Sequence, residues 1–142
     1  MRKSSLFITC LLAVILCTSC SKFDNGPVLS LRSAKNRLVG DWEVVDFSGP
    51  QAAGYIDDLS DGYSWFFEFE KDGDGRWGYI DEFGYIYSYN IEWELEGDEL
   101  EMDIVTSYGG IRQDWEIQRL TNNEMELEAE NNPGVVWILT KD

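Results

Sequence analysis

Few residues of this 142-residue chain have side chains that could carry out chemistry, and their types exclude several enzyme classes. The chain contains no histidine, so it has no Ser-His or Cys-His nucleophile and no zinc or copper site that relies on imidazole. Its three cysteines, Cys10, Cys17 and Cys20, all lie close to the N-terminus. The domain that follows them therefore has no thiol nucleophile and no disulfide, and burial alone must stabilise it.

Carboxylates are the one abundant reactive group, with 27 Asp and Glu residues in the chain. A glycosidase mechanism needs two of them facing each other across a cleft. Most of these acids alternate with apolar residues, as Glu92 and Glu94 do around Trp93, and this pattern places them on the outward face of strands. We predict a solvated acidic surface, no catalytic residue, no cofactor and no enzymatic activity.

One short segment, Asp72-Gly73-Asp74-Gly75, has oxygen donors at alternate positions, as calcium-binding loops do. The longer ligand set of such a loop, with its distal Glu, is missing. Asp-Gly pairs are also typical of hairpin turns, where glycine readily adopts positive φ. We therefore predict a turn here and no metal site.

Cys20 is the candidate for covalent modification. It follows the cationic Arg2-Lys3 pair, an apolar run from Leu6 to Leu16, and the small residues Thr18-Ser19. The run is about eleven residues long, which suits the core of an export signal and is well short of the roughly twenty that span a membrane. The residues before Cys20 resemble a lipobox. We predict that residues 1–19 are a removed signal peptide and that Cys20 carries the lipid; the alternative is a secretory signal cleaved near Ser19.

Residues 20–28 are predicted to be the lipidated cysteine and a polar tether, in which Asn25-Gly26-Pro27 disfavours regular structure. Two acyl chains on Cys20 would attach the protein durably to a membrane. A run of acids after the cysteine is a surface-export tag in some lipoproteins, whereas Ser21-Lys22-Phe23-Asp24 has a single acid. We expect a bacterial outer-membrane lipoprotein that faces the periplasm, with exposure at the cell surface as the alternative.

The net charge restricts the partners of the protein. The chain has a formal net charge of -16, and loss of Arg2 and Lys3 with the signal makes it more negative by two. Phosphate contacts dominate the affinity of proteins for nucleic acids, so we predict that DNA and RNA are not ligands.

Residues 29–142 are predicted to be one domain that begins with a short helix. Ser30 precedes Leu31, Ala34 and Leu38 at helical spacing. From Asp41 onward the apolar period is two, which is typical of strands with one buried face. Eight segments show this period, and the residues that mark them are Trp42 and Val44; Trp65, Phe67 and Phe69; Trp77 and Tyr79; Tyr85 to Leu95; Leu100 to Ile104; Ile111 to Ile117; Met125 to Ala129; and Val135 to Leu139.

Short turns separate most of these strands, among them Glu96-Gly97-Asp98, Gly109-Gly110 and Asn122-Asn123. Links this short make successive strands antiparallel neighbours in a meander. A meander of eight strands with one apolar face closes most simply on itself, because closure removes the exposed edges. The predicted fold is all-β, an eight-stranded antiparallel up-and-down barrel with a short N-terminal helix.

Several motifs resemble one known family. Gly40-Asp41-Trp42 opens the first strand as the GxW motif of the lipocalin superfamily does, and the segment Phe67–Gly75 resembles the F-x-x-DG hairpin of the lipocalin-like domain common in Bacteroidetes lipoproteins. Trp115–Thr121 and Val136–Lys141 are also similar to that domain, and the resemblance spans Leu38 to Asp142. It implies an eight-stranded barrel with a capacity for a small apolar ligand and no common catalytic residues.

The predicted ligand site is the barrel interior and a lid. Between the first two strands lies the long connection Ser48 to Asp61, where lipocalins carry a lid over the barrel mouth. Its apolar residues Tyr55, Ile56 and Leu59 are either the underside of that lid or a plug on the core. The predicted site residues are Trp42, Tyr55, Ile56, Trp65, Phe67, Trp77, Tyr87, Tyr89, Trp93, Trp115 and Trp137.

A filled barrel is the competing interpretation, since the interior of eight strands is just wide enough for side chains to fill it. In that case the protein would act through its outer surface, as a structural lipoprotein that binds an envelope protein or a glycan. The outward-facing apolar residues Phe66, Ile80 and Ile86 are the candidate patch for such a partner.

Overall fold

The chain folds into a closed barrel of eight antiparallel strands in a computed structural model that describes residues 33–107 and 109–141. The predictions for the signal, for Cys20, for the tether and for Ser30 and Leu31 lie outside these residues. In chain order the elements are α1 (Ala34–Leu38), β1 (Gly40–Ser48), α2 (Ala53–Ser60), β2 (Ser64–Phe69), β3 (Asp74–Ile80), β4 (Ile86–Glu96), β5 (Glu99–Thr106), β6 (Gly109–Leu120), β7 (Glu124–Ala129) and β8 (Val136–Lys141). Neither helix of the described residues is long or apolar enough to traverse a bilayer.

Each strand pairs with the next, and β1 also pairs with β8, so the sheet has no free first or last strand. This arrangement confirms the predicted up-and-down barrel. The register keeps inward residues opposite each other, as in the pairs Trp42 with Phe67 and Trp93 with Met102. The strand order follows from the short turns, since a connection of a few residues joins only adjacent antiparallel strands.

α1 begins later than the sequence pattern indicated. Ser33, in extended conformation, is its N-cap, and the Ser33 hydroxyl accepts a hydrogen bond of 3.3 Å from the backbone N–H of Asn36. The helical spacing of the apolar residues predicted that the helix begins after Ser30, three residues before Ser33. Ser33 takes the capping position because its side chain satisfies a helical N–H that otherwise has no partner within the helix.

α1 closes one end of the barrel. The indole of Trp42 donates a 2.7 Å hydrogen bond to the carbonyl of Leu38, the last residue of the helix. Lys141, at the end of β8, donates from Nζ to the carbonyls of Arg37 and Val39, both at 2.6 Å, and its ammonium lies 4.7 Å from the centre of the Trp42 ring. These contacts tie the chain that enters the barrel to the strand that leaves it, and we call this end the closed end.

Aromatic side chains fill the barrel near this end and at its middle. Phe67 is completely buried, and its ring centre lies 5.8 Å from that of Trp115, 6.0 Å from that of Trp137 and 6.0 Å from that of Phe69. The perpendicular arrangement of Phe67 with Trp115 is one of the geometries that aromatic pairs prefer. This part of the barrel is therefore a packed core.

Replacing Phe67 by Ala should lower the free energy of unfolding by about 3–5 kcal/mol, because it removes a buried ring and leaves a cavity among other rings. Urea unfolding followed by tryptophan fluorescence measures this change. Phe83→Ala is the matched control, since Phe83 is 76% exposed and its loss should change stability by no more than about 0.5 kcal/mol. Equal effects of the two substitutions would contradict this account of the core.

Candidate functional site

The predicted interior residues divide into a buried group and a group near one end of the barrel. Members of the buried group are at most 8% exposed and belong to the packed core; they are Trp42, Trp65, Phe67, Trp93, Trp115 and Trp137. The remaining predicted residues, Tyr55, Ile56, Trp77, Tyr87 and Tyr89, lie at the end opposite α1, where β1 ends and β2 begins.

The strands are of unequal length at this opposite end, which we call the open end. β6 starts at Gly109, but its pairing with β7 begins only at Trp115, opposite Ala129. The first residues of β6 therefore extend beyond the end of β7, together with the paired ends of β3, β4 and β5. We call the inner face of these four strand ends the open wall. Its residues are Trp77, Tyr79, Tyr87, Tyr89, Ile104 and Ile111.

Rings on the open wall stack in cross-strand pairs. Tyr79 and Tyr87 are register partners whose ring centres are 4.8 Å apart with 16° between the planes. Trp77 and Tyr89, the next inward pair, stack at 5.8 Å and 24°. Tyr63 continues the row, stacked against Tyr79 at 6.4 Å. Strand pairing thus aligns the rings into one continuous aromatic surface.

This surface is accessible to solvent. Tyr87 and Tyr89 are each 42% exposed, and Ile111 is 60% exposed, although all three lie on the inward face of their strands. The prediction that Tyr87 and Tyr89 are enclosed by the barrel was wrong. Their alternation indicated the correct face, but β4 pairs with β5 only from Asn90 onward, so Tyr87 and Tyr89 have a neighbouring strand on one side only.

α2 covers the other side of the open end. The Tyr55 ring lies 5.2 Å from Phe47 and 5.8 Å from Trp137, and its hydroxyl accepts a 2.9 Å hydrogen bond from the side-chain amide of Asn132. Leu59 also packs against the core. Part of the connection between the first two strands therefore packs on the core as a plug. The open wall beside it is formed by other strands.

Ile56 does not belong to the apolar underside of α2. Its side chain is exposed, whereas Tyr55 and Leu59, one residue before it and three after it, are partly buried. In a helix, neighbouring residues point about 100° apart, so Ile56 cannot share the buried face with both. The prediction assigned no helix to this connection, so it did not include this constraint.

Acidic residues at the open end raise the pKa of two tyrosines above the ordinary value of 10.0. For Tyr63 the largest cause is desolvation, followed by the negative charges of Glu82, Asp81 and Asp58. For Tyr87 it is the charge of Asp81, followed by desolvation, the neighbouring Tyr79 and a side-chain hydrogen bond to Asp81. The Asp81 carboxylate also accepts hydrogen bonds from the backbone of the turn that follows it, which positions the charge beside the rings.

Sequence reasoning missed Tyr63, Tyr79, Ile104 and Ile111 as possible ligand contacts. Tyr79, Ile104 and Ile111 were recognised as residues of the alternating strands but were not assigned to the ligand site. Tyr63 continues the alternation of β2 backward by two residues, so extending the pattern would have found it. The solvent exposure of the open wall could not be predicted from the sequence, because the period-two pattern gives the face of each residue but not the relative lengths of the strands.

The outward patch lies where it was predicted, on the outer surface beside the open end. Phe66 and Ile80 are partly buried and Ile86 is exposed. The Phe66 ring covers Gly78, where an added Cβ would come within 2.8 Å of it. Phe66 and Ile80 also line a cleft of about 270 Å³ on the outer surface, beside Glu43.

The Asp72-Gly73-Asp74-Gly75 segment forms the β2–β3 turn. Gly73 adopts φ +101°, and the Asp72 carboxylate accepts a 3.3 Å hydrogen bond from the backbone N–H of Asp74. Across residues 33–107 and 109–141, no three His, Cys, Asp or Glu side chains are grouped so that they could hold a metal ion.

A family model described as a lipocalin-like domain matches residues 38–127, which is more than half of the chain. The chain belongs to the lipocalin-like domain family. Two solved structures share the fold of this lipocalin-like domain. A lipocalin-like protein from Bacteroides uniformis matches with a TM-score of 0.53 and 18% identity, over 75% of this chain and 99% of its own. An uncharacterized protein from Bacteroides eggerthii matches with a TM-score of 0.51 and 17% identity, over 73% and 98%. No curated protein matches the chain significantly.

Tyr63 and Tyr87 should ionise above pH 10.0 in the folded lipocalin-like domain, as measured by the absorbance of tyrosinate near 295 nm. Because their pKa is higher in the folded state, these two tyrosines contribute to the free energy of unfolding fully below pH 10.0, and that contribution should be lost as the pH rises from there through the folded-state pKa. Asp81→Asn should move the Tyr87 titration to lower pH. Glu94→Gln, on the outer face far from the rings, should leave both titrations unchanged, and an equal shift in this control would contradict the assignment.

Proposed function

We propose that this lipocalin-like domain binds a small apolar ligand against the open wall and has no catalytic activity. The observation that supports the proposal best is the exposure of an aromatic and aliphatic inner face at one end of an otherwise packed barrel. Ligand sites are mostly concave and lined by apolar and aromatic side chains with few polar groups. The stacked rings provide flat contact area that is already ordered, so a ligand need not immobilise them on binding.

A ligand that lies on the open wall should contact Ile111, so substituting this residue should weaken binding. With the neutral fluorescent probe N-phenyl-1-naphthylamine, Ile111→Ser should weaken binding by about tenfold, because full burial of such a side chain contributes about 1.5–3 kcal/mol. Val105→Ser is the matched control: Val105 is also exposed on the extended strand ends, but it lies on the outer face. Equal loss of binding in both variants, or no saturable binding by the unsubstituted protein, would contradict the proposed site.

We further propose that the protein is attached to a bacterial envelope membrane through Cys20, with the domain facing the periplasm. The support lies in the sequence: a cationic start, an apolar run of signal length and small residues just before Cys20. Durable anchoring needs two acyl chains, which lipoprotein processing at a cysteine supplies. Exposure of the domain at the cell surface is the alternative orientation.

Mass spectrometry of the N-terminal peptide tests this anchor. Protein extracted from the envelope with detergent should begin at Cys20 and carry the mass of its acyl chains, with residues 1–19 absent. Cys20→Ser should abolish the lipid mass, and Cys17→Ser, the matched control three residues upstream, should retain it. A free N-terminus near Ser19 or Cys20 without lipid would instead indicate an ordinary secretory signal.

A second function is favoured by the packed core and the outer apolar patch. The core rings occupy the interior away from the open end, and Phe66, Ile80 and Ile86 form an apolar patch on the outer surface that an envelope protein or glycan could contact. Native and denaturing mass spectra of the protein purified from its own envelope distinguish the two functions. Mass that is lost on denaturation favours a carried ligand, and equal masses favour a surface partner.

A further inference from the structure

Charged residues are distributed unevenly between the two ends of the barrel. Among the described residues, the cations at the closed end are Lys35, Arg37, Lys71, Arg119 and Lys141. The two others lie on the outer face of strands. Arg76 is paired with Glu68 at 2.6 Å, and Arg112 is paired with Glu101 and Asp114. Arg112 directly follows Ile111 in β6, so its side chain is on the face opposite the open wall.

The connections at the open end carry only negative charge. The segment 49–63, which includes α2, has Asp57, Asp58 and Asp61; the β3–β4 connection has Asp81 and Glu82. The segment 130–135, at the same end, adds Glu130 and, like the other two, contains no lysine or arginine. The local potential around the open wall is therefore negative, independently of the net charge of the whole chain.

Two of these acidic connections meet beside the stacked rings. A Cβ added at Gly62, just after α2, would lie 4.0 Å from the Cα of Glu82, so the end of α2 contacts the β3–β4 connection. Tyr63 follows directly and stacks on Tyr79. The raised pKa of Tyr63, to which Glu82, Asp81 and Asp58 all contribute after desolvation, reports the same negative field at the ring row.

We propose that the open wall selects an organic cation, that is, an ammonium group attached to an alkyl or aromatic body. The ammonium head lies among Tyr63, Tyr79 and Tyr87 near the acidic connections, and the apolar body lies along Tyr89 and Ile111. The neighbouring carboxylates attract a cation, and the face of the Tyr87 ring that is turned away from Tyr79 adds to this attraction through its quadrupole. A fatty acid anion meets the same apolar surface but is repelled by the same negative potential. This inference rests on the proposed function, because it takes the open wall as the ligand site.

Three probes with the same ten-carbon chain test the charge preference. They are decyltrimethylammonium, decanol and decanoate, titrated at pH 7.5 into the mature chain carrying Cys20→Ser, which needs no detergent. Calorimetry or tryptophan quenching in low salt should show decyltrimethylammonium binding about tenfold or more tighter than decanoate, with decanol between them. The difference should shrink in about 0.5 M salt, because added ions screen exposed charges.

A paired substitution locates the effect. Asp58→Asn with Glu82→Gln removes two exposed charges beside Tyr63 and should weaken decyltrimethylammonium binding by about three- to tenfold while decanol binding stays unchanged. Glu94→Gln with Glu116→Gln removes the same number of charges from exposed outer positions on β4 and β6 and is the matched control. An equal loss in the control would mean that the preference reflects net charge alone and would overturn the inference.

The outcomes separate the two proposals. Binding of decyltrimethylammonium and decanol with weak binding of decanoate supports both of them. Decanoate bound as tightly as the cation overturns the charge preference and leaves the apolar site intact. Failure of all three probes to bind overturns the proposed site and the charge preference together.

Discussion

β1 pairs with β8 along Trp42–Ser48, and this contact converts a meander into a barrel. β1 pairs with β2 only over Gly40–Glu43, so most of its length is committed to β8. A register shift between Val44 and Asp46 lets the strand continue to pair with β8 after it leaves β2. Without the β1–β8 contact, the first and last strands would be free edges and the core rings would face solvent.

Closure also makes the two ends of the barrel unequal. At the closed end, Lys141 binds the backbone carbonyls of the last turn of α1 and of the residue that follows it, and the Trp42 indole donates a hydrogen bond to the last residue of the helix. At the open end, β4 and β6 continue past the end of β7, because their hairpins are longer than the β7–β8 hairpin. The open wall is thus a result of strand length: it is the inner face of a barrel beyond the point where the barrel is complete.

The strands and their inward faces could be predicted from sequence because the period-two pattern is local. Trp93, for example, lies between two glutamates, and burying its ring while solvating both acids requires that face and that register. The exposure of Tyr87 and Tyr89 could not be predicted in the same way. It depends on where the pairing of β4 with β5 ends, at Asn90 opposite Val105, which leaves Tyr87 and Tyr89 without a partner on β5.

The connection between β1 and β2 shows a second limit of the same kind. Its length predicted a lid or a plug at the barrel mouth. The eight-residue helix α2 within it was not predicted, because Pro50 and Gly54 are residues that disfavour helices. The helix carries no side-chain N-cap, so the usual start signal is missing as well. Contacts of Tyr55 with Phe47 and Trp137 stabilise it, and tertiary packing of this kind leaves little trace in local sequence.

The position of the open wall and the proposed anchor are compatible in one orientation. Ser33, the first described residue, lies at the closed end, so a lipid on Cys20 connects to the domain at that end. The open wall lies at the opposite end of the barrel, where β3 ends and β4 begins. Under the proposed anchoring, the open wall therefore faces away from the point of attachment, where a ligand can reach it from the aqueous phase.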